Sequence, residues 1–343
     1  MLISENASAK LQKQLEKSSE VFCSGLFLSA RWKVLSQIAQ EKMQLIVLPT
    51  RESAEYCSSD LYNLVEGDCV FYLPESGKSV ERSNYKSSLG VQRTSAIGKI
   101  LQPGGERLFI VTYPEALEEK TSSAKKLGEA LFTINEGENI PYESVRARLQ
   151  EEGFEKVDFV SAPGQYAMRG AVIDIFSYSQ DHPYRISFFG NEVDKIQLFD
   201  CNTQLSLSKE SKADIYPDIA ARESEDGCSL IDLLPADCTV WLDSSDMYRE
   251  KAFFPGLLNF RHVYLDIPLQ KENVESVKFN ISPQPVFNKN FELLISDINS
   301  KLEGGYKVFI FGEKESQLER LRSIMLQDEH ALLPEFVKGK NIH

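Results

Sequence analysis

Residues 164–200 read GQYAMRGAVIDIFSYSQDHPYRISFFGNEVDKIQLFD, and this stretch says most about how the chain folds. Its β-branched and aromatic runs predict three short strands. The last two strands meet at Gly190-Asn191, a two-residue loop with glycine first, which suits a type II′ hairpin turn. The stretch therefore predicts a β-rich part of the chain that ends in a tight hairpin.

Side chains alternate along the strand that precedes this turn. Tyr184 and Phe188 are predicted to lie on the core face, whereas Arg185 and Phe189 lie on the opposite face. An exposed phenylalanine beside an arginine is typical of a protein-binding surface, because aromatic residues and arginine are enriched there. Alternation alone also permits Phe189 to be buried beneath a loop or a helix, and both interpretations stay open at this point.

Composition sets limits on the class of protein. The chain has 343 residues, of which 42% are hydrophobic and 26% are charged, which predicts a globular protein of two or three domains. The first residues lack the basic start and apolar middle of a signal peptide, and no apolar run is long enough to span a membrane. We therefore expect a cytoplasmic protein with no membrane partner.

Charge and cysteine content exclude further functions. The net charge of −13 argues against binding to a phosphate backbone by bulk electrostatics, although a local basic patch is still possible. No two cysteines have the spacing of a zinc or redox motif, and the four histidines are scattered. We expect reduced thiols that mostly fill the core, no metal site and no cofactor. The cysteines are Cys23, Cys57, Cys69, Cys201, Cys228 and Cys238.

Helix and strand patterns alternate over the first 125 residues or so, as is typical of a parallel α/β sheet. The charged segment Glu118–Lys126 then marks a domain boundary. We predict an α/β domain over residues 1–126, an inserted α+β domain over residues 127–214, and a second part of the α/β body over residues 215–343. Predicted buried strands of the third part are Cys238–Asp243, His262–Ile267 and Lys307–Gly312; Ser76–Ser88 is a predicted loop and Val91–Leu101 a predicted helix.

A family resemblance rests on three segments. They are YESVRARLQEEGFEKVDFVSAPGQY at residues 142–166, RGAVIDIF at 169–176 and PYRISFFGNEVDKIQLFD at 183–200. Together they resemble the small inserted domain shared by UvrB and the transcription-repair coupling factors (Mfd), strongly over residues 138–208 and weakly on both sides. The resemblance implies a UvrB-like architecture, in which a helicase-like parallel sheet with a degenerate P-loop carries the inserted α+β domain.

In such a body, two sequence elements are expected to form one nucleotide site. Residues 24–32, SGLFLSARW, follow a predicted strand and open a predicted helix, which is the position of a P-loop. Gly25 is retained, but Arg31 stands at the lysine position and Trp32 at the serine or threonine position that binds magnesium. In the strand that resembles a Walker-B element, Asp243 occupies the magnesium position and Ser244 replaces the catalytic glutamate. Both halves are thus degenerate, unless residues 24–32 are an ordinary strand-to-helix turn.

The resemblance also implies a protein-binding site. In both families the insert binds the excision-repair protein UvrA, and the contact positions fall on Arg169, Arg185 and Phe189. Two guanidinium groups beside a phenyl ring suit an acidic partner surface. Alternatively, Arg169 forms an ion pair with Asp174 or Asp194, and Arg185 pairs with an acid on the returning strand.

The function implied by the resemblance is that of a non-catalytic adaptor, which binds UvrA and recruits nucleotide excision repair to stalled RNA polymerase. A coupling factor would also contain an ATP-dependent translocase on double-stranded DNA and a C-terminal domain that masks the UvrA surface, so the chain ending at His343 is expected to be a fragment. The region of UvrB's DNA-holding hairpin, about residues 75–88, is too short here for that hairpin. The alternatives are a UvrB-type ATP-dependent repair helicase subunit and a stand-alone UvrB-like interaction protein.

Overall fold

The computed structural model describes residues 5–38, 43–65, 69–76, 83–103, 107–178, 180–219, 227–269 and 274–339. The chain divides into two compact units, Met1–Ser282 and Pro283–His343. The predicted third part, residues 215–343, is therefore distributed over both units. Among the described residues, no helix has the length and apolar character that crossing a bilayer requires.

Strands and helices alternate along much of the described chain. The strands are β1 (Glu20–Ser24), β2 (Met43–Val47), β3 (Val70–Tyr72), β4 (Leu108–Thr112), β5 (Phe132–Asn135), β6 (Glu155–Lys156), β7 (Gln165–Arg169), β8 (Val172–Ile175), β9 (Tyr184–Phe189), β10 (Glu192–Phe199), β11 (Ser206–Glu210), β12 (Lys212–Ile215), β13 (Thr239–Leu242), β14 (Arg261–Tyr264), β15 (Val277–Lys278), β16 (Phe309–Gly312) and β17 (Glu335–Lys338). The α-helices are α1 (Glu5–Lys17), α2 (Ala30–Ile38), α3 (Arg51–Leu64), α4 (Ser83–Leu101), α5 (Pro114–Glu118), α6 (Ala124–Ala130), α7 (Tyr142–Glu151), α8 (Phe254–Leu257), α9 (Phe291–Glu303) and α10 (Glu315–Met325).

The body of the first unit is a seven-stranded parallel sheet in the order β15-β1-β14-β13-β2-β4-β3. Strands β2, β4 and β13 read as continuous apolar runs because both faces of a parallel sheet are buried. On β2, Leu45 contributes to a cluster with Ile97 of α4, whereas Ile46 contributes to a cluster with Leu11 of α1 and Leu35 of α2. The predicted α/β fold with a parallel sheet is confirmed, and strands from both sides of the insert form one sheet.

The inserted module lies between β4 and β13 in the sequence. It contains a six-stranded sheet in the order β11-β10-β9-β8-β7-β6 and a two-stranded sheet of β5 and β12. Helix α7 places Val145 and Leu149 in the same core cluster as Ile173 and Ile186 of the larger sheet. Gly190 has a φ of 63°, in the left-handed region that the first position of a type II′ turn requires.

Helix α4 begins at Ser83, eight residues before the predicted Val91 and inside the segment predicted as a loop. The first residues of α4, SNYKSS, have no apolar periodicity, so the pattern that predicts helices is missing there. Residues 77–82 of the predicted loop lie outside the described residues.

The second unit contains α9, α10 and a two-stranded parallel sheet of β16 and β17. The prediction that Lys307–Gly312 is a buried strand is wrong in its burial, since Phe309 and Phe311 are 44% and 60% exposed. Alternate residues of β16 differ in exposure because only one face of the strand is covered within this unit. On that face, Ile310 packs in a cluster with Met325.

Candidate functional site

A buried carboxylate lies between two arginines on the outer face of the six-stranded sheet. Asp174 of β8 is 1% exposed. It stands directly opposite Arg185 of β9, which donates from Nε to Oδ1 at 2.8 Å and from Nη2 to Oδ2 at 2.9 Å. Arg169, the last residue of β7, also donates from Nη2 to Asp174 Oδ2. One negative charge is thus shared by two guanidinium groups, which brings two of the three predicted contact residues together.

Arg185 is held on several sides. Its Nη2 also donates to Gln204 Oε1 at 2.9 Å, and its guanidinium lies over the ring of Phe199 at 3.9 Å from the centroid. The hydrogen bonds that Arg185 donates to Asp174 raise the pKa of Arg185, because they favour the charged form of the guanidinium. With 22% of its side chain exposed, Arg185 presents only an edge to solvent.

Arg169 is more accessible, with 40% of its side chain exposed. Its guanidinium stacks on the ring of Phe159 at 4.6 Å from the centroid, and Phe159 is itself 62% exposed. The stacking and the bond to Asp174 define the position of Arg169 while several of its N–H groups remain free to face a partner.

Phe189 is 81% exposed at the end of β9, next to the hairpin turn. The residues that alternate with the outer-face positions of β9, Tyr184, Ile186 and Phe188, are buried, as the sequence pattern predicts. The alternative that Phe189 lies beneath a loop or helix is wrong, because nothing among the described residues covers it. An exposed ring of this size on the same sheet face as two arginines matches the composition of protein-binding surfaces.

The alternative predictions of ion pairs for Arg169 and Arg185 are confirmed in part. The predicted pair of Arg169 with Asp174 is present. For Arg185 the predicted partner on the returning strand is wrong, because its opposite residue on β10 is the uncharged Gln197 and its acid is Asp174 on the preceding strand. The ion pairs and the exposed site are therefore compatible with one another.

Lys195 of β10 adds a further cation to this face. It lies directly opposite Ser187 of β9, which shares the outer face with Arg185 and Phe189. Among the described residues, no carboxylate forms an ion pair with the Lys195 ammonium group. We define the outer face as Phe159, Arg169, Arg185, Phe189 and Lys195, with Asp174 beneath.

The degenerate nucleotide loop follows β1, and its one retained glycine has a structural reason. Gly25 has a φ of 69°, and a Cβ atom there would lie 2.0 Å from the carbonyl oxygen of Phe279, which follows β15. The glycine therefore allows the chain after β15 to pass close to the turn. This role does not require phosphate.

Arg31, at the predicted lysine position, forms an ion pair with Asp243 after β13. Its Nη1 donates to Asp243 Oδ2 at 2.6 Å, and its Nε donates to the carbonyl of Leu26 at 3.2 Å. The two side chains are 19% and 6% exposed. The residue at the lysine position and the residue at the magnesium position thus bind each other.

Trp32 of the predicted loop and Ser244 after β13 both make contacts within the fold. Trp32 is 6% exposed and belongs to the core cluster that α1, α2 and α3 form against the sheet. Ser244 has a φ of 50° and donates its hydroxyl to Asp243 Oδ1 at 3.0 Å.

Asp266 after β14 has a buried Oδ1 with no hydrogen-bond partner among the described residues. Burial, and then the charge of Asp243, raise the pKa of Asp266.

The sequence pattern does not identify all residues of this site. The sequence suggests Asp174 only as a partner of Arg169, and it marks neither Phe159 nor Lys195. The signal for Asp174 is a charged residue between Ile173 and Ile175 in an otherwise apolar strand. Its second partner depends on strand pairing, which the sequence does not reveal.

Comparison with known proteins agrees with this architecture. The model of the family described as UvrB interaction domain matches residues 132–220, which contain the outer face. The transcription-repair-coupling factor of Bacillus subtilis (strain 168) is 30% identical over 205 residues, which cover 59% of this chain and 17% of that protein. That of Mycobacterium tuberculosis (strain CDC 1551 / Oshkosh) is 30% identical over 186 residues, 52% of this chain and 15% of that protein. That of Escherichia coli (strain K12) is 30% identical over 123 residues, 36% of this chain and 10% of that protein.

The chain thus spans about a sixth of the length of the Bacillus subtilis relative. Similarity to proteins that carry the same name in several bacteria agrees with the domain match and with the mixed α/β fold. Residues 132–220 therefore match the UvrB interaction domain family, and the chain is similar to transcription-repair-coupling factors over part of their length.

Proposed function

We propose that this chain is a non-catalytic UvrB-like adaptor that binds UvrA through its outer face. The observation that carries the proposal is Phe189, whose ring is 81% exposed on the same sheet face as two arginines that share one buried carboxylate. Burial of such a ring in a partner's pocket contributes binding energy, while the arginines offer donors to acidic groups around that pocket.

Charge supports the choice of partner surface. The chain has a net charge of −13, yet the outer face has three cations against two acids, the buried Asp174 and the exposed Glu192 opposite Phe189. A local excess of positive charge on an acidic protein favours an acidic patch of another protein over a long phosphate backbone.

We also propose that the parallel sheet does not hydrolyse ATP. The Arg31–Asp243 ion pair supports this, since it occupies both positions that would engage the phosphates and magnesium. ATP hydrolysis by the purified chain would contradict the proposal, and stoichiometric binding of a fluorescent ATP analogue would support a UvrB-type repair enzyme. No cofactor enters the proposed function.

The wider role follows from the relatives. They are named for the coupling of transcription to repair, and the chain covers only part of their length. We propose that the adaptor acts in the cytoplasm, where it recruits nucleotide excision repair to stalled RNA polymerase. In a full-length protein, other domains would contact RNA polymerase and double-stranded DNA, and a C-terminal domain would mask the outer face.

The test is calorimetry of the chain with purified UvrA. We expect binding by the wild-type chain, and we expect Arg169→Ala and Phe189→Ala each to cost about 2 kcal/mol, or about 30-fold in affinity. Arg146→Ala is a matched control, because Arg146 is 44% exposed on α7 and pairs with Glu143 away from the outer face. A wild-type chain that does not bind UvrA would overturn the proposed function.

A further inference from the structure

Asp174 is more buried than either arginine that it binds. Its side chain is 1% exposed, against 40% for Arg169 and 22% for Arg185. Both of its oxygens accept hydrogen bonds from guanidinium groups. An arginine side chain otherwise has many accessible rotamers, and holding it in one of them costs free energy when a partner binds.

We infer that Asp174 is the positioning residue of the UvrA-binding surface, which it preorganises by holding Arg169 and Arg185 before the partner arrives. This inference rests on the proposed function. Asp174 itself is too buried to meet a partner, so its effect on binding acts through the two arginines.

The two arginines then have different roles. Arg185 uses Nε and Nη2 for Asp174 and Nη2 again for Gln204, so most of its donors are occupied. Arg169 is bonded to Asp174 through Nη2 alone and stacks on Phe159. Arg169 therefore offers more donors to acidic groups of UvrA than Arg185, whose side chain is less exposed and has more of its donors occupied.

Positioning and simple charge attraction predict opposite results for one substitution. Asp174→Asn removes a negative charge and makes the outer face more positive. If charge alone attracted an acidic partner, this variant would bind more tightly. If the arginines must be held in place, it binds less tightly, since asparagine cannot accept two-point bonds from both guanidinium groups.

The experiment compares the full chain with its Asp174→Asn variant by calorimetry with UvrA at low and high salt. Near-ultraviolet circular dichroism first establishes that both are folded. We expect roughly tenfold weaker binding, because each freed arginine must be ordered when UvrA binds. The loss should persist at high salt, where charge attraction is screened. Equal or tighter binding by Asp174→Asn would overturn the inference and leave the proposed function intact.

Two further measurements separate positioning from a purely structural role. Exchange of the Arg185 Nε proton with water, followed by NMR, should accelerate in the variant before any partner is added. If Asp174→Asn does not fold, Arg185→Lys tests the same geometry, since it keeps the charge and loses the two-point contact. Wild-type affinity for a folded Arg185→Lys chain would also overturn the inference. Absence of wild-type binding to UvrA would instead disprove the proposed function.

Discussion

Lys195 and Phe159 show how single residues extend the outer face beyond the positions that the family resemblance implies. Lys195 shares the face of Arg185 and Phe189, and Phe159 stacks under Arg169. Both belong to the module that the UvrB interaction domain model matches. At the residue scale, the site is therefore a set of neighbours on adjacent strands.

Charge reversal at Lys195 tests this extension. We expect Lys195→Glu to weaken binding to UvrA by about tenfold and to slow association, because it places a negative charge on a face that meets an acidic partner. Lys125→Glu changes the net charge by the same amount on an 86% exposed side chain of α6 and should leave the affinity unchanged. Stopped-flow association rates check both variants, and equal effects would mean that only net charge matters.

Asp266 provides a prediction about pH. Its pKa is raised from the ordinary value of 3.8, so the folded state binds a proton more tightly than the unfolded state. The stability that this tighter proton binding provides is present at low pH and is lost as the pH rises through the raised pKa of Asp266. We expect Asp266→Asn to stabilise the fold at neutral pH, with a gain that disappears near pH 3.8, in urea denaturation series. Asp158→Asn, at an exposed position, should show no such pH-dependent gain.

At the scale of elements, the turn after β1 shows a glycine retained for packing. The Cβ position of Gly25 is blocked by the backbone of Phe279, and the φ of Gly25 is 69°. The same turn directs Arg31 of α2 toward Asp243 after β13. A loop that resembles a phosphate site in the sequence thus becomes a contact between the segments that follow β1 and β13, two strands on either side of β14.

We expect Gly25→Ala to destabilise the chain by about 2 kcal/mol or more, because the left-handed backbone and the close carbonyl both oppose a methyl group. Gly128→Ala is the matched control, since no atom lies within 4 Å of its Cβ position in α6. In the helix, that control should be neutral or stabilise by up to about 1 kcal/mol. Equal stability of the two variants in urea would contradict the packing role of Gly25.

At the scale of the whole molecule, the outer face and the parallel sheet belong to the first compact unit, and residues 283–343 form the second. The described residues of the first unit form their own core clusters, and those of the second form a cluster around Ile298 and Met325. Binding to UvrA and stability of the second unit are thus expected to be separable.

Truncation after Ser282 tests this separation. We expect the shortened chain to unfold with the same midpoint as the first unit of the full chain and to bind UvrA with unchanged affinity. Thermal denaturation and calorimetry provide the two measurements. A loss of affinity of tenfold or more would show that residues 283–343 contribute to the binding surface.

The sequence by itself determined the α/β class, the parallel sheet, the hairpin at Gly190 and the alternation that leaves Phe189 on the outer face of β9. These features are local, because apolar periodicity and turn chemistry act over a few neighbouring residues. The same locality explains the late predicted start of α4, whose first turns lack apolar residues.

Only the tertiary structure decided that Phe189 is uncovered, that Asp174 holds Arg185 as well as Arg169, and that Arg31 binds Asp243 across 212 residues of sequence. Each depends on which strands pair and which segments pack over them. Pairing follows from the burial of the whole core, so no short stretch of sequence contains it.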